Sequence, residues 1–323
     1  MRQYIALTLF VLIILISSIT NAAETVRVGT LQFGTVNWEL DTAQHYGLDA
    51  EQDIRIEVKP YANKQAVHII FQSKEVDMIV TDWVWVSRER ADGDDFSFIP
   101  YSSSLGAVMV PPDSNIKSLS DLRDLRLGVA GGAYDKSWLL LQAWGVRENN
   151  FKLSNTVDVN YAAPPLLNGQ IERNNLDAVL NFWHYCARLE AMNYRPLVQM
   201  SDVMKDLGID PIPMVGYTFR NDWAEQHDGL VERFNTAIRN ARELLRSDDE
   251  AWNRLRPMMR AENEATFIAL RNRYREGIPL QWGETERKSA VQLMDILSEV
   301  GGTEAVGNST QLMPGTFWSK GYF

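Results

Sequence analysis

The sequence contains very little cysteine. Cys186 is the single cysteine among 323 residues, so the chain cannot form an intramolecular disulfide in any compartment. Because Cys186 stands in the apolar stretch NFWHYCARL, we expect it to be a small buried residue rather than a reactive thiol.

Histidine is also scarce, and its spacing excludes the common metal motifs. His45, His68, His184 and His227 show neither the i, i+4 spacing nor the Cys/His clusters that bind zinc, so we predict no metal site. His68 falls beside the apolar face of a predicted helix, for which Asn63 is the predicted N-cap, and has the pattern of a structural residue. His184 follows a tryptophan at the end of a predicted strand and is a minor candidate for a cleft.

Motifs for covalent catalysis are missing as well. The chain has no Gly-x-Ser-x-Gly nucleophile elbow, and Asp135 stands where a phosphate-binding P-loop requires glycine before Lys136. Asp82 and Asp135 are the available acid/base pair, but aspartates at strand ends are as often helix caps or hydrogen-bond anchors. We therefore predict that the protein is not an enzyme and needs no cofactor.

The chain lacks an excess of positive charge. It carries 42 acidic residues against 32 lysines and arginines, a net charge of −10. Nucleic acids and anionic membrane surfaces attract basic proteins, so neither is an expected partner.

Residues 1–23 differ from the rest of the chain. Arg2 provides a positive start, an uncharged apolar run covers residues 4–16, and Asn21, Ala22 and Ala23 are small residues suited to cleavage. This pattern predicts a secretory signal peptide. The alternative is a retained membrane anchor, because the uncharged span is long enough to cross a bilayer.

Two pairs of similar segments indicate an internal repeat. VRVGTLQFG and LRLGVAGGA place Gly29 and Gly128 at matching positions, and VDMIVTDWVW from Val76 matches LDAVLNFWHY from Leu176. Each is an apolar run typical of a strand buried on both faces, as in a parallel sheet covered by helices. The repeat is too long for a solenoid, so it predicts two similar α/β lobes.

The predicted fold is α/β, with two Rossmann-like lobes joined by two crossover strands and a helical C-terminal part. The first crossover is expected around Ser102 to Gly106, and the second in the strand-like MVGYTF around Tyr217. The boundaries that follow are residues 24–104 plus 217–323 for lobe 1, and residues 105–216 for lobe 2.

Ligands of such sheets bind beyond the carboxyl ends of the strands, so two lobes facing each other would form a cleft. Aromatic and polar residues are frequent at those positions. We expect Trp83 and Trp183 to hold a planar ligand between them, while Trp85 belongs to the core. The predicted ligand-binding residues are Gln32, Phe33, Trp38, Asp82, Trp83, Ser103, Gly132, Tyr134, Asn181, Trp183 and Tyr217.

The phrases SLSDLRDLRLGV and LDAVLNFWHY, in this order, resemble the periplasmic substrate-binding proteins of ABC importers. The similarity is to the nitrate, sulfonate, taurine and thiamine-pyrimidine-precursor branch, and it covers residues 26–219. It implies a type II periplasmic binding protein, a monomer in the periplasm. Such a receptor closes on a small molecule and presents it to an inner-membrane permease.

The chain departs from this family at positions that affect the ligand. Sulfonate-binding members usually have small hydroxylated residues at the helix start where this chain has Ala133 and Tyr134, and its predicted cleft contains no arginine. These departures favour an aromatic, heterocyclic or amine-bearing metabolite over a strongly anionic one. The alternatives are a periplasmic accessory protein of an oxidoreductase system and a pyrimidine-precursor-related enzyme on the same fold.

Overall fold

The computed structural model describes residues 23–210 and 212–320. The predicted signal peptide, residues 1–23, therefore lies outside the described residues apart from Ala23. The strands are β1 (Glu24–Leu31), β2 (Ile54–Tyr61), β3 (Met78–Asp82), β4 (Phe96–Ser102), β5 (Ala107–Val110), β6 (Arg126–Ala130), β7 (Asp158–Ala162), β8 (Ala178–Asn181), β9 (Arg195–Gln199) and β10 (Val215–Arg220). The helices are α1 (Val36–His45), α2 (Lys64–Gln72), α3 (Trp83–Ala91), α4 (Lys136–Asn149), α5 (Pro164–Glu172), α6 (Trp183–Glu190), α7 (Met200–Asp206), α8 (Asn221–Gln226), α9 (Leu230–Ser247), α10 (Asp249–Met259), α11 (Glu264–Glu276) and α12 (Glu284–Val306).

The strands form two five-stranded sheets of the same topology. The first sheet has the order β2-β1-β3-β10-β4, and the second has the order β7-β6-β8-β5-β9. In each sheet the first three strands are parallel, and the fourth, β10 or β5, runs antiparallel to both neighbours. The predicted α/β fold with two similar lobes is confirmed. We call the first sheet with α1 to α3 the first half, and the second sheet with α4 to α7 the second half.

The internal repeat extends to individual side chains. In the first half, the Arg27 guanidinium donates to both carboxylate oxygens of Asp77, at 2.9 and 2.6 Å. In the second half, Arg126 donates to Asp177 in the same way, at 2.9 and 2.8 Å. Each aspartate also accepts the backbone N–H of its arginine at 2.8 Å. The pairs fix the start of the strands that carry the repeat, because a bidentate contact sets position as well as distance.

The predicted strands around Trp83 and Trp183 are shorter than expected. We expected β3 and β8 to continue through these tryptophans, but β3 ends at Asp82 and β8 ends at Asn181. The Asp82 carboxylate accepts the backbone N–H of Trp85 at 2.9 Å, which caps α3 and turns the chain into a helix. Asn63 caps α2 in the predicted way, accepting the N–H of Ala66 at 2.9 Å.

The C-terminal helices contact both halves. Helix α11 packs against α6, and α12 packs against α4 and α3. Arg188 of α6 forms an ion pair with Glu262 at 2.6 Å, and Arg273 of α11 donates to Glu190 at 2.9 Å. The assignment of residues 217–323 to lobe 1 therefore stays a prediction, since helices in this range lie on the second half as well.

A helix that crosses a bilayer must be both long and apolar. Across residues 23–210 and 212–320, no helix combines the length and the apolar character that a membrane span requires.

We predict that Gly216→Ala lowers the thermal midpoint of unfolding. A Cβ at this position of β10 would lie 2.1 Å from the Ile99 carbonyl oxygen and 2.4 Å from the Phe98 ring. Overpacking of this kind costs about 1–3 kcal/mol of unfolding free energy. The control is Gly169→Ala in α5, where a Cβ meets no atom within 4 Å and the better helix propensity of alanine should raise the midpoint slightly. Circular dichroism during heating measures the midpoint of each variant. Equal midpoints for Gly216→Ala and Gly169→Ala would contradict the packing described for β10.

Candidate functional site

A cavity of about 320 Å³ lies between the two sheets and is lined from both halves of the chain. Its polar lining residues are Thr35, Lys64, Thr81, Asp82, Tyr101, Ser102, Ser104, Asp135, Lys136, Ser137 and His184. Its apolar lining residues are Leu31, Val36, Val67, Val80, Leu105, Leu140, Phe182, Trp183, Met214 and Val215. A concave wall that combines apolar side chains with convergent polar groups is typical of small-molecule sites.

Three charges form a cluster at the wall of this cavity. The Asp82 carboxylate lies 2.6 Å from the Lys64 ammonium and 3.1 Å from the Lys136 ammonium. Burial alone would raise the pKa of Asp82, but the charges of Lys136 and Lys64 outweigh it and hold that pKa well below its usual value. Lys64 begins α2 and Lys136 begins α4, so the carboxylate joins the two halves across the cavity.

The lysines retain capacity to bind a ligand. The Lys64 side chain is 53% exposed and Lys136 is 27% exposed, whereas Asp82 is only 8% exposed beneath them. Each ammonium has three N–H donors, and among the described residues only Asp82 forms an ion pair with either of them. Nearby Asp135 caps α4 by accepting the Ser137 N–H at 2.9 Å, and burial raises the pKa of Asp135.

Trp183 reaches the cavity from the second half, next to Phe182. It begins α6, and its ring meets the edge of Trp38 at a centroid distance of 6.1 Å and an angle of 89°. Tyr274 of α11 lies against the same ring at 6.3 Å. Edge contacts of this type favour a defined orientation, so the ring is held in place by residues that do not themselves line the cavity.

His184 is the next residue of α6 and also lines the cavity. Burial, assisted by the positive charge of Arg188, lowers the pKa of His184 to about 3, so the imidazole is neutral above pH 4. Its Nδ1 atom is buried without a hydrogen-bond partner among the described residues. This histidine was only a minor candidate from the sequence.

The structure brings two of the eleven predicted ligand-binding residues, Asp82 and Trp183, to the cavity. Their role in binding stays a prediction. Gln32, Phe33 and Tyr134 are exposed and do not line it, and the Phe33 ring instead contacts the Arg260 guanidinium at 4.1 Å.

Two other predicted residues are neighbours of the lining rather than part of it. Gly132 lies three positions before Asp135, the cap of α4. Ser103 donates its backbone N–H to the Gly277 carbonyl at 2.9 Å, while Ser102 and Ser104 on either side line the cavity.

The placement of Trp83 opposite Trp183 is wrong. Trp83 is fully buried in the core, where its ring contacts Phe317 at 5.8 Å. The prediction assumed a strand, in which Trp83 and Trp85 share one face, but Trp83 is the first residue of α3. Trp85 is half-buried and stacks on His68 at 3.9 Å, and among the described residues Trp183 is the only tryptophan that lines the cavity.

Trp38, Asn181 and Tyr217 are likewise buried away from the cavity lining. The Asn181 amide donates to the Pro164 carbonyl at 3.0 Å and to the Asn168 side chain at 2.8 Å. The Tyr217 hydroxyl donates to the buried Glu39 carboxylate at 2.8 Å. These polar groups are committed to the fold, which is why they do not reach a ligand.

Sequence reasoning missed Lys64 and Lys136. The available signals were their positions, since Lys64 follows the predicted cap Asn63 and Lys136 lies in GGAYDKS at a helix start beside a strand end. The argument against an anionic ligand was based on Ala133, Tyr134 and the absence of an arginine, and it did not consider these two lysines.

Two further sequence-based expectations concern reactive or metal-binding groups. Cys186 is buried, and burial raises the pKa of its thiol to about 12, which keeps it protonated and unreactive. In the part of the chain that the structure describes, no three histidine, cysteine, aspartate or glutamate side chains are grouped to hold a metal ion.

A family model described as NMT1/THI5 like matches residues 39–251, about two thirds of the chain. The chain belongs to the NMT1/THI5-like family. No curated protein sequence matches it.

Solved structures show the same fold at low sequence identity. The periplasmic aliphatic sulphonate binding protein SsuA from Escherichia coli is 16% identical and has a TM-score of 0.73, with 91% of this chain and 97% of that chain covered. The alkanesulfonate-binding protein SsuA from Xanthomonas axonopodis pv. citri, bound to MOPS, is 13% identical with a TM-score of 0.70, covering 92% and 99%. An ABC transporter protein from Parabacteroides distasonis is 12% identical with a TM-score of 0.69, also covering 92% and 99%. This NMT1/THI5-like chain therefore has the periplasmic binding protein fold.

We predict that acid destabilises the protein partly through its two buried histidines. Burial lowers the pKa of His184 to about 3 and that of His68 to about 4, whereas an unfolded histidine titrates near 6.5. Between pH 6.5 and 4 the unfolded chain therefore binds more protons than the folded chain, and the free energy of unfolding falls as pH falls. The slope should be on the order of 1 kcal/mol per pH unit for each histidine.

Urea unfolding at pH 7, 6, 5 and 4.5 measures this slope. His184→Gln and His68→Gln should each flatten it. A slope that is the same in wild type and His184→Gln would show that the native His184 imidazole takes up a proton in this range.

Proposed function

We propose that this chain is the periplasmic solute-binding component of an ABC importer, a receptor without catalytic activity. The observation that carries the proposal is the cavity between the two sheets, which both halves line and which the Asp82 to Lys136 ion pair spans. The fold supports it, because neighbours of the same architecture are named as sulfonate-binding proteins, and the Escherichia coli protein is named as periplasmic. The proposed partners are a small molecule and an inner-membrane permease, with the receptor acting as a monomer.

The proposed mechanism is closure of the two halves around the ligand. Two segments cross between the sheets, one from Ser102 to Gly106 and one leading into β10. A ligand shifts an open form toward a closed form only by binding the closed form more tightly. A molecule that contacts Lys64 on one side and Lys136 and Trp183 on the other has its full set of contacts only when the halves are together.

We propose a small organic anion as the ligand. The two lysine ammonium groups supply donors for an anionic group, and Trp183, Leu140 and the other apolar lining residues suit an aliphatic, aromatic or heterocyclic body. An amine-bearing ligand is less favoured, because the accessible charges at the cluster are cationic and Asp82 lies beneath them. The sulfonates named for the Escherichia coli and Xanthomonas proteins are organic anions of this kind.

Native mass spectrometry of protein purified from the periplasm tests the receptor directly. We expect a bound small molecule of defined mass. When the protein is denatured, this molecule should be released with the same mass. Steady conversion of the released compound by fresh protein would favour the alternative of an enzyme on this fold. Protein that arrives empty and binds no small anion would favour an accessory role in which the cavity has no ligand.

We predict that Trp183→Ala weakens binding of the carried compound by about 1–3 kcal/mol, because it removes an aromatic wall of the cavity. Isothermal titration calorimetry measures the change. The control is Trp144→Ala, the same substitution at a half-buried tryptophan that does not line the cavity. Similar losses in both variants would mean that Trp183 acts only through stability.

We also predict that Lys136→Met lowers the affinity for the same compound at least tenfold and weakens the dependence of that affinity on salt. The variant removes one of the two cations while its apolar stem keeps the packing, and a hydrogen bond to a charged group contributes about 1.5–3 kcal/mol. Lys74→Met is the control, because Lys74 is an exposed lysine paired with Asp222 away from the cavity. Unchanged affinity in Lys136→Met would place the anionic group of the ligand elsewhere.

A further inference from the structure

The two halves differ at one structurally equivalent position, the helix that follows the third strand of the parallel set. In the first half, α3 begins after β3 and the Asp82 carboxylate caps it by accepting the Trp85 N–H at 2.9 Å. In the second half, α6 begins after β8, and no side chain caps it, because its N-cap residue is Phe182. The first amides of α6 therefore lack the side-chain acceptor that the first half provides.

The residue equivalent to Asp82 is the N-cap Phe182, and the polar residue before it, Asn181, is engaged elsewhere. Asn181 ends β8 as Asp82 ends β3. Its Oδ1 atom accepts the Phe182 N–H at 2.9 Å, and its Nδ2 atom donates to Pro164 and Asn168. Asn181 thus tightens the turn before α6, and its side chain accepts no hydrogen bond from an amide of the helix itself. The N-terminus of α6 keeps its partial positive charge uncompensated.

A second, independent observation points to a ligand at the same place. The buried Nδ1 atom of His184 has no partner, and no hydrogen bond among the described residues uses the other ring nitrogen. A neutral imidazole carries one N–H donor and one acceptor. A buried polar group left without a partner costs about 1–3 kcal/mol, and folded proteins keep few of them. His184 and Phe182 both line the cavity, so the uncapped helix start and the unpartnered ring lie at the same wall.

We propose that the bound molecule has two polar ends, an anionic group at Lys64 and Lys136 and an uncharged hydrogen-bond acceptor at the N-terminus of α6. His184 is then the residue that selects for the acceptor, by donating its N–H to an oxygen such as that of a carbonyl or carboxamide. An uncharged acceptor fits because this wall offers partial charges: the imidazole is neutral, and Arg188 is paired with Glu262. This inference rests on the proposed function and specifies the class of ligand.

Shape-matched pairs of carboxylates test the second end of the ligand. One member carries a para acetyl group, which accepts a hydrogen bond, and the other carries a para isopropyl group of the same branching, which does not. The pairs are built on benzoate, phenylacetate and 3-phenylpropionate to vary the distance between the two ends. Calorimetry with wild-type protein should give at least one length at which the acetyl compound binds about tenfold more tightly, the equivalent of about 1.4 kcal/mol.

Variants assign the preference to His184. His184→Phe should reduce the ratio of the two affinities to about one, and His184→Gln, which keeps an N–H donor, should retain part of it. His227→Phe, the same substitution directly after α8 and outside the cavity, should preserve the ratio. Far-ultraviolet circular dichroism confirms that each variant is folded, and a ratio within one protein does not depend on its stability.

The outcomes separate this inference from the function on which it rests. Equal affinities of the acetyl and isopropyl compounds at every length would overturn the two-ended ligand and leave the anion receptor standing. A preference for acetyl that survives in His184→Phe would overturn the role of His184. Failure of every compound to bind would count against the anion receptor and the two-ended ligand together.

Discussion

The site depends on one buried carboxylate that must be paired. Asp82 is almost fully buried, and an unpaired charge there would cost several kcal/mol, so its position requires Lys64 and Lys136 within contact distance. The same carboxylate caps α3. A single side chain therefore fixes the end of a strand, the start of a helix and the approach of the second half, and it presents two cationic groups to the cavity.

Much of the fold was predictable because the sequence repeats. A duplicated strand with an aspartate at its start predicts two sheets of one plan, and the pairs of Arg27 with Asp77 and Arg126 with Asp177 show that the repeat is structural. The point at which strand becomes helix was not predictable from apolar runs alone. Because the period changes from 2 to 3.6 after Asp82, Trp83 lies in the core instead of at the cavity, while Trp85 packs against the core.

The site was predictable only in part. A sequence gives the type and charge of each residue, but it does not give the direction in which a side chain points. Asp82 and Trp183 were found because they follow buried strands. Tyr217 was predicted at the site from its position in a strand-like segment, yet its hydroxyl donates to the Glu39 carboxylate inside the core. The Arg242 guanidinium pairs with the same carboxylate at 2.8 Å. Lys64 and Lys136 were missed because only the packing of two helix starts against two sheet edges turns them toward one cavity.

The two halves have the same topology, so a difference between the N-termini of the equivalent helices α3 and α6 is informative. Helices α3 and α6 follow equivalent strands of sheets with the same order, so packing alone would give them equivalent starts. One start is completed by a side chain of the protein, and that side chain is a carboxylate held by two lysines. The other start is left open beside an imidazole without a partner. Since buried donors in folded proteins are rarely left unsatisfied, the open start is the place where a bound molecule completes the structure, as Asp82 completes the equivalent place in the first half.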